Sequence, residues 1–109
     1  MTKDEVDQLI LSMYKDYDWS LIPSHMWPGL KEWIEFGIPQ GSFLQSILNH
    51  DFYEAIFRAD NMNQACIVGW AQFLCWHLPF DAHGSLENVK RWRDKGGLRG
   101  ILSDDVEAA

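Results

Sequence analysis

The stretch GIPQGSFLQSILNHDFYEAIFRADNMNQ, residues 37–64, decides the fold class because it repeatedly ends one helix and begins another. Gly37 favours the left-handed conformation that ends a helix, and Pro39 prevents its continuation. Residues with N-cap chemistry then precede each new apolar run: Gly41 or Ser42, Asp51, and Asp60. The stretch therefore predicts junctions between short helices, with Asn49 at the end of one of them.

Helices are also predicted before this stretch. Thr2 and Glu5 have the spacing of a capping box and are followed by apolar residues at helical intervals, which predicts a helix over about residues 3–16. A second helix carries an apolar stripe and begins either at Ser24 or closer to Trp27. Both patterns indicate amphipathic helices that bury one face.

Two more helices are predicted after it. Residues 61–78 are apolar on nearly every side, which predicts one long central helix around which the others pack. Ser85 is the expected N-cap of a last helix that ends at Gly96 and Gly97. Three residues of this last helix are expected to face inward: Leu86, Val89 and Trp92.

The predicted fold is all-α. No reliable strand is found, although residues 98–102 are compatible with an extended segment. A chain of 109 residues has room for one hydrophobic core, so we expect a compact single domain over residues 1–102. It would contain five to six short helices around the central apolar helix, followed by a flexible acidic tail over residues 103–109.

Charge and hydropathy narrow the classes of function. The formal charge is −7, whereas affinity for nucleic acid comes mostly from Lys and Arg, so direct nucleic-acid binding is not expected of the chain as a whole. No apolar run reaches the ~20 residues of a membrane span, and the acidic start MTKDEVDQ is unlike a signal peptide. We therefore expect a cytoplasmic protein with no membrane partner. Cys66 and Cys75 are expected to be reduced and largely buried.

The sequence contains no metal, cofactor or catalytic motif. The nearest groups of ligand-type residues are Cys75 with His77, His50 with Asp51, and Asp81 with His83. None has the spacing of a zinc or calcium site, and no phosphate-binding loop or nucleophile motif occurs. We therefore expect no metal, no cofactor and no enzymatic activity. A hydrolase or metal enzyme built on His50, Asp51, Arg58 and Asp60 is the least favoured hypothesis.

One dense polar cluster lies between apolar helices. It consists of Asn49, Asp51, Arg58, Asp60 and Asn63. It would be either a small polar pocket or a set of helix caps, in which Arg58 satisfies carbonyl groups at a helix end. Because the spacing of the two aspartates is that of N-caps, capping is the favoured interpretation.

The chain also has one basic segment, residues 90–99, with five bases and one acid. Its bases are Lys90, Arg91, Arg93, Lys95 and Arg99. Together with Trp92 they would suit single-stranded nucleic acid, but Trp92 is in register with Leu86 and Val89 and is more readily explained as a core residue.

Two segments carry a resemblance to known proteins: IPSHMWPGLKEWIEFGIPQGSFLQSILNHDFYEAIFRADNMN, residues 22–63, and HGSLENVKRWRDKGG, residues 83–97. They resemble a group of small uncharacterised proteins encoded by bacteriophages, prophages and plasmids of proteobacteria. The matching positions are Ile22, Pro23, Leu30, Trp33, Gly37, Pro39, Gly41, Phe43, Leu44, Leu48, Arg58, Ala59, Asp60, Asn63, Ser85, Glu87, Val89 and Trp92. Where the group usually has a second proline after the GIP motif, this chain has Gln40.

The resemblance implies a mobile-element gene in a bacterial host. Small acidic proteins in that setting are often accessory factors that bind a host protein, and inhibitors of antiphage defence, including anti-CRISPR proteins, are prominent among them. We therefore expect a non-enzymatic inhibitor that binds a host protein or ribonucleoprotein defence complex through an acidic face. The expected binding residues are Asp16, Asp18, Trp19, Trp27, Glu32 and Glu35. The alternative is a nucleic-acid-associated or transcriptional accessory protein that uses the basic segment.

Overall fold

The computed structural model describes the backbone of residues 1–108 and the side chains of residues 1–103. The α-helices are α1 (Lys3–Lys15), α2 (Trp27–Phe36), α3 (Ser42–Leu48), α4 (Phe52–Arg58), α5 (Asn61–Ala65), α6 (Ile67–Trp76), α7 (Leu86–Asp94) and α8 (Gly97–Ala108). Short 3₁₀ turns occupy Trp19–Leu21, Ser24–Met26 and Phe80–Ala82. No strand occurs in the backbone of residues 1–108, so the all-α prediction is confirmed, with eight helices where five to six were expected.

The predicted caps form the helix boundaries. In α1, Glu5 N donates to Thr2 Oγ1 and Thr2 N donates to Glu5 Oε1, each at 3.2 Å, which completes the capping box. The Asp51 carboxylate accepts from Glu54 N at the start of α4, and α5 is capped in the same way by Asp60. These junctions follow from local side-chain chemistry, which is why the sequence predicted them.

The start and end of α2 agree with the predicted signals. Residues Ser24–Met26 form a 3₁₀ turn, and the α-helix itself begins at Trp27. At its end Gly37 has φ +67°, the left-handed conformation expected there. Gly97, with φ +69°, lies so close that a Cβ atom on it would be 2.6 Å from Gly37 N. The two glycines therefore allow the end of α2 to meet the start of α8.

The single long helix predicted over residues 61–78 is wrong, because Cys66 leaves helical geometry (φ −107°, ψ 16°) and separates α5 from α6. The sequence has no Gly or Pro at this position that would signal the break. Nor is the segment buried all round: Val68 is 70% exposed and Trp76 is 62% exposed. A domain of this size lacks the volume to surround a helix, so α6 buries only one face. The expectation of two largely buried thiols is also wrong, since Cys66 is half-buried and Cys75 is exposed.

The region after Ser85 differs from the prediction in two ways. Val89 and Trp92 are buried as expected, but Leu86 is 68% exposed because it lies in the first turn of α7, away from the core. Residues 98–102 are helical and belong to α8, so their suggested extended conformation is wrong. Helix α8 extends to Ala108. The side chains of residues 104–109 lie outside the described part of the structure, so the flexibility of the tail over residues 103–109 stays a prediction.

Buried tryptophans connect the helices of the core. Trp33 on α2 is fully buried, and its indole N–H donates to the carbonyl of Ala82 at 2.9 Å. The indole of Trp92 on α7 in turn donates to the carbonyl of Trp33 at 2.9 Å. Because an indole N–H that enters a core needs an acceptor, these bonds fix how α2, α7 and the Phe80–Ala82 turn pack together.

Candidate functional site

Three of the four predicted acidic binding residues lie on the surface. Asp16, Asp18 and Glu32 are exposed, and none forms an ion pair with any residue whose side chain is described. Asp18 has a structural role as well, because its Oδ1 accepts from the backbone N–H and the hydroxyl of Ser20. Lys31, next to Glu32 in the sequence, has its Nζ 5.3 Å and 5.1 Å from the ring centres of Tyr14 and Trp19.

The fourth acid, Glu35, is engaged inside the fold. Its side chain is 17% exposed, and Oε1 accepts from Arg99 Nε at 2.9 Å while Oε2 accepts from the Tyr14 hydroxyl at 2.8 Å. Arg99 also binds Asp7 Oδ1 at 2.7 Å. Glu35 is thus part of a link between α1, α2 and α8, and both of its carboxylate oxygens already have donors.

The environment of this link changes the acidity of its members. Burial alone would lower the pKa of Arg99, but the hydrogen bonds and charges of Asp7 and Glu35 raise it. Burial, followed by the hydrogen bond to Glu35, raises the pKa of Tyr14. The guanidinium and the phenol therefore keep their protons at physiological pH, and both act as donors to Glu35.

The two predicted tryptophan anchors are half-buried. The Trp19 indole donates to the Tyr14 carbonyl at 2.9 Å, and the Trp27 indole donates to the Ile22 carbonyl at 3.3 Å. Their ring centres are 5.8 Å apart, and Trp19 also packs against Phe73 of α6. Each indole thus has a structural role and presents only part of its surface to a partner.

The basic segment is divided between α7 and α8. Lys90, Arg91, Arg93 and Lys95 are exposed. Within α7, Arg91 donates to Asn88 and Arg93 donates to Asp94. Arg99 is held by Asp7 and Glu35 instead, and the indole of Trp92 is buried in the core. The surface available to nucleic acid is therefore three bases on α7 and Lys95 at its C-cap, without a stacking aromatic from Trp92.

None of the metal groupings considered from the sequence forms a cluster. Among the side chains described, no three His, Cys, Asp or Glu residues are placed to hold a metal ion. His77 accepts from Asp18 N at 3.0 Å and stacks on Tyr17, with ring centres 5.1 Å apart. His50 and His83, which belonged to separate groupings, meet each other with 2.8 Å between Nε2 and Nδ1.

The histidine pair connects the end of α3 with the segment before α7. His83 is 8% exposed, and burial together with the nearby His50 lowers its pKa to about 4. Its carbonyl accepts from Asn88 Nδ2, and the neighbouring Gly84 N donates to the Leu48 carbonyl. These contacts describe a neutral imidazole that holds two parts of the fold together.

The polar cluster predicted around residues 49–63 is both a set of caps and part of a pocket. Asp51 and Asp60 are N-caps, which confirms the favoured interpretation. The suggested role of Arg58 is wrong: it donates to Glu54 Oε1 at 2.6 Å, one helical turn earlier, where a carboxylate competes better than helix-end carbonyls. Arg58, Asp60 and Asn63 also line one pocket of about 530 Å³, whereas Asn49 does not.

The other residues of this pocket were not predicted from the sequence to belong to a binding site. They are His25, Met26, Gly29, Gln40, Gly41, Ser42, Phe43 and Leu44. His25 Nε2 is 3.0 Å from Asp60 Oδ2, a contact between residues 35 positions apart. The hydrogen bond that the carboxylate accepts from Asn63 N is the main cause that lowers the pKa of Asp60, and the contact with His25 adds to it. No local sequence signal links the segment around residue 25 to the start of α5.

One apolar surface was also missed. On α4, Tyr53 is 76% exposed and Phe57 is 70% exposed, with ring centres 5.1 Å apart, and Ile56 beside them is 44% exposed. The positions i, i+3 and i+4 give them a common face. The sequence pattern is that of an amphipathic helix, but it did not show that this apolar face points to solvent.

None of the helices in the described part of the chain is both long and apolar enough to cross a membrane.

Similarity to other proteins adds no identification. The resemblance to proteins of phages, prophages and plasmids stays a prediction, because no protein-family model, no curated protein and no solved structure matches the chain.

Proposed function

We propose that this protein is a non-enzymatic, cytoplasmic binding protein that inhibits antiphage defence, in the manner of an anti-CRISPR protein, by docking an acidic face on a basic surface of a host complex. The observation that carries the proposal is the set of exposed carboxylates Asp16, Asp18 and Glu32, which have no cationic partner among the described side chains. Free carboxylates on an acidic protein favour association with cationic surfaces.

The proposed face is narrower than the one expected from the sequence. Glu35 is left out because Arg99 and Tyr14 use both of its oxygens. Trp19 and Trp27 contribute only their exposed edges, because each indole is half-buried and bonded to a carbonyl. The remaining surface suits a complex whose own groove binds nucleic acid, since such a groove is lined with Lys and Arg.

The test uses a charge-changed variant that keeps the fold. Asp16→Lys and Glu32→Lys reverse two exposed charges, whereas Asp18→Asn removes a charge and retains the oxygen that caps the Trp19–Leu21 turn. A matched control changes three other exposed acids by the same total charge: Asp81→Lys, Glu87→Lys and Asp94→Asn. Far-UV circular dichroism establishes that each variant is folded.

The assay is plating of a phage on a proteobacterial strain whose active CRISPR system targets it, together with a pull-down of the CRISPR complex. We expect the native protein and the control to restore plating and retain the complex, and the face variant to do neither. Equal binding by the face variant would rule out the acidic face. If the native protein restores plating in none of the CRISPR-active strains tested, the anti-CRISPR part of the proposal is ruled out.

The second candidate is a nucleic-acid-associated or transcriptional accessory protein. It is favoured by the exposure of Lys90, Arg91 and Arg93 on α7 and of Lys95 at its C-cap. Phosphate contacts by these bases predict binding that weakens steeply as salt is raised. A flat titration with single- and double-stranded DNA and RNA at low salt would eliminate this candidate.

A further inference from the structure

The Asn63 side chain, which lines a pocket together with Arg58 and Asp60, has an amide NH₂ group without a partner among the described residues. Asn63 is 2% exposed, and its Oδ1 accepts from the Trp70 indole N–H at 3.0 Å. Because an indole N–H can only donate, the orientation of the Asn63 amide is fixed and its NH₂ group lies on the opposite side. Among the described residues this NH₂ group has no acceptor, and it is not one of the fully enclosed atoms.

This donor retains access to solvent within an otherwise buried residue, so water or a ligand can supply its acceptor. Asn63 lines the pocket, so an acceptor can reach it from there. Arg58 lines the same pocket, and only its Nε has a described partner, Glu54. Its two terminal NH₂ groups are therefore further donors, arranged in the planar fork that matches a carboxylate.

The carboxylate that lines the pocket is already engaged. Asp60 supplies the one carboxylate among the described lining residues, but Oδ1 accepts from Asn63 N and Oδ2 contacts His25. Arg58 and Asn63 thus offer three NH₂ groups without a partner among the described residues, even though the protein as a whole is acidic. The wall also includes three apolar residues: Met26, Phe43 and Leu44. The volume of about 530 Å³ lies within the usual range for small-molecule sites.

We propose that this pocket binds a carboxylate attached to a small apolar group, with Arg58 and the Asn63 amide as its donors. The apolar part of the ligand packs against Phe43 and Leu44. A free organic acid and the C-terminal carboxylate of a polypeptide both have this chemistry. The site adjoins the acidic face of the proposed function, since Gln40 of the pocket wall has its Nε2 3.4 Å from Glu32 Oε2, but the proposal does not rest on that function.

The Trp70 indole provides the readout, because its N–H is bonded to the same amide that would hold the ligand. Native ¹⁵N-labelled protein is titrated with phenylacetate and, in a second arm, with N-acetyl-alanyl-phenylalanine. Phenylacetamide and the C-terminal amide of the dipeptide are the neutral controls. The indole of Trp92, which is bonded to the Trp33 carbonyl and does not line the pocket, is the internal reference.

We expect both acids to shift the Trp70 indole resonance saturably. The two amides should cause no saturable shift of the Trp70 resonance, and the Trp92 resonance should show none with any of the four compounds. Arg58→Gln should weaken binding of the acids about tenfold or more, since a charge-assisted bond is lost. Arg91→Gln, another exposed arginine outside the pocket, should bind as the native protein does. Tighter binding of the dipeptide than of phenylacetate would identify a polypeptide C-terminus as the source of the carboxylate. Tighter binding of phenylacetate would identify a free organic acid.

Any of three results would overturn the proposal. The first is the absence of a saturable Trp70 shift with both acids in the native protein. The second is equal binding of the acids by the native and Arg58→Gln proteins, and the third is equal binding of the amides and the acids by the native protein. Because Arg58 is an exposed residue of α4 and not part of the core, the variant should remain folded, and its indole spectrum verifies this directly.

Discussion

Replacing Arg99 by methionine tests the link that joins α8 to α1 and α2. The change keeps much of the apolar stem but removes the donors to Asp7 and Glu35. Ion pairs of exposed carboxylates contribute about 0–1 kcal/mol, and Asp7, with its side chain 37% exposed, belongs near that range. Glu35 is 17% exposed, so its charge-assisted bond contributes about 1.5–2 kcal/mol. The combined loss is about 2 kcal/mol.

This loss should appear in thermal and urea unfolding. For a domain of this size about 2 kcal/mol corresponds to a melting temperature lower by roughly 8–15 °C. Arg91→Met, at an exposed arginine whose side chain hydrogen-bonds to Asn88 and forms no ion pair among the described side chains, should stay within about 0.5 kcal/mol of the native protein. In the Glu35→Gln background the Arg99→Met change should cost about 1 kcal/mol less than in the native protein. Equal melting temperatures for Arg99→Met and Arg91→Met would refute the assigned role of the link.

Two further predictions concern stability. Gly69→Ala should destabilise the protein by about 1–3 kcal/mol in urea unfolding, because the new Cβ would overlap the Leu21 carbonyl oxygen, whereas Gly41→Ala, with nothing within 4 Å, should be close to neutral. A harmless Gly69→Ala would contradict the close contact. The pKa of His83 is lowered to about 4, so its neutral form stabilises the fold above an unfolded pKa of about 6.5, and that stability is lost as pH falls towards 4. Between pH 7 and pH 5 we expect a loss of about 1–2 kcal/mol that is absent from a His83→Gln variant; parallel pH profiles for the two proteins would oppose this assignment.

Local features of the fold could be predicted from the sequence, and the caps show why. Thr2, Asp51 and Asp60 each bond to an atom three residues away, so their spacing carries the information. Gly37 ends α2 because glycine readily adopts the left-handed backbone conformation found there. Cys66 is the exception: it ends α5 without any local signal, and the apolar run around it is that of an uninterrupted helix.

Features that join distant segments could not be predicted. The acidity of Glu35 suggested a surface residue, but its position is set by Arg99, which lies 64 residues further along the chain. His25 meets Asp60 across 35 residues, and the pocket exists only because the segments that contain them pack together. Charge and hydropathy predict that a residue will be buried or exposed on average, but the partner of a buried polar group depends on the tertiary structure.

The link through Arg99 has a consequence for synthesis on the ribosome. Glu35 is translated 64 residues before the arginine that neutralises it, and Asp7 is translated 92 residues before. At translation rates of about 5–20 residues per second, these carboxylates wait roughly 3–18 s for their partner. During that interval Asp7 on α1 and Glu35 on α2 lack the arginine that neutralises them, at the place where α8 will later pack. The nascent chain therefore cannot complete its native packing until the codon for Arg99 has been read, and the link forms at a late stage of biosynthesis.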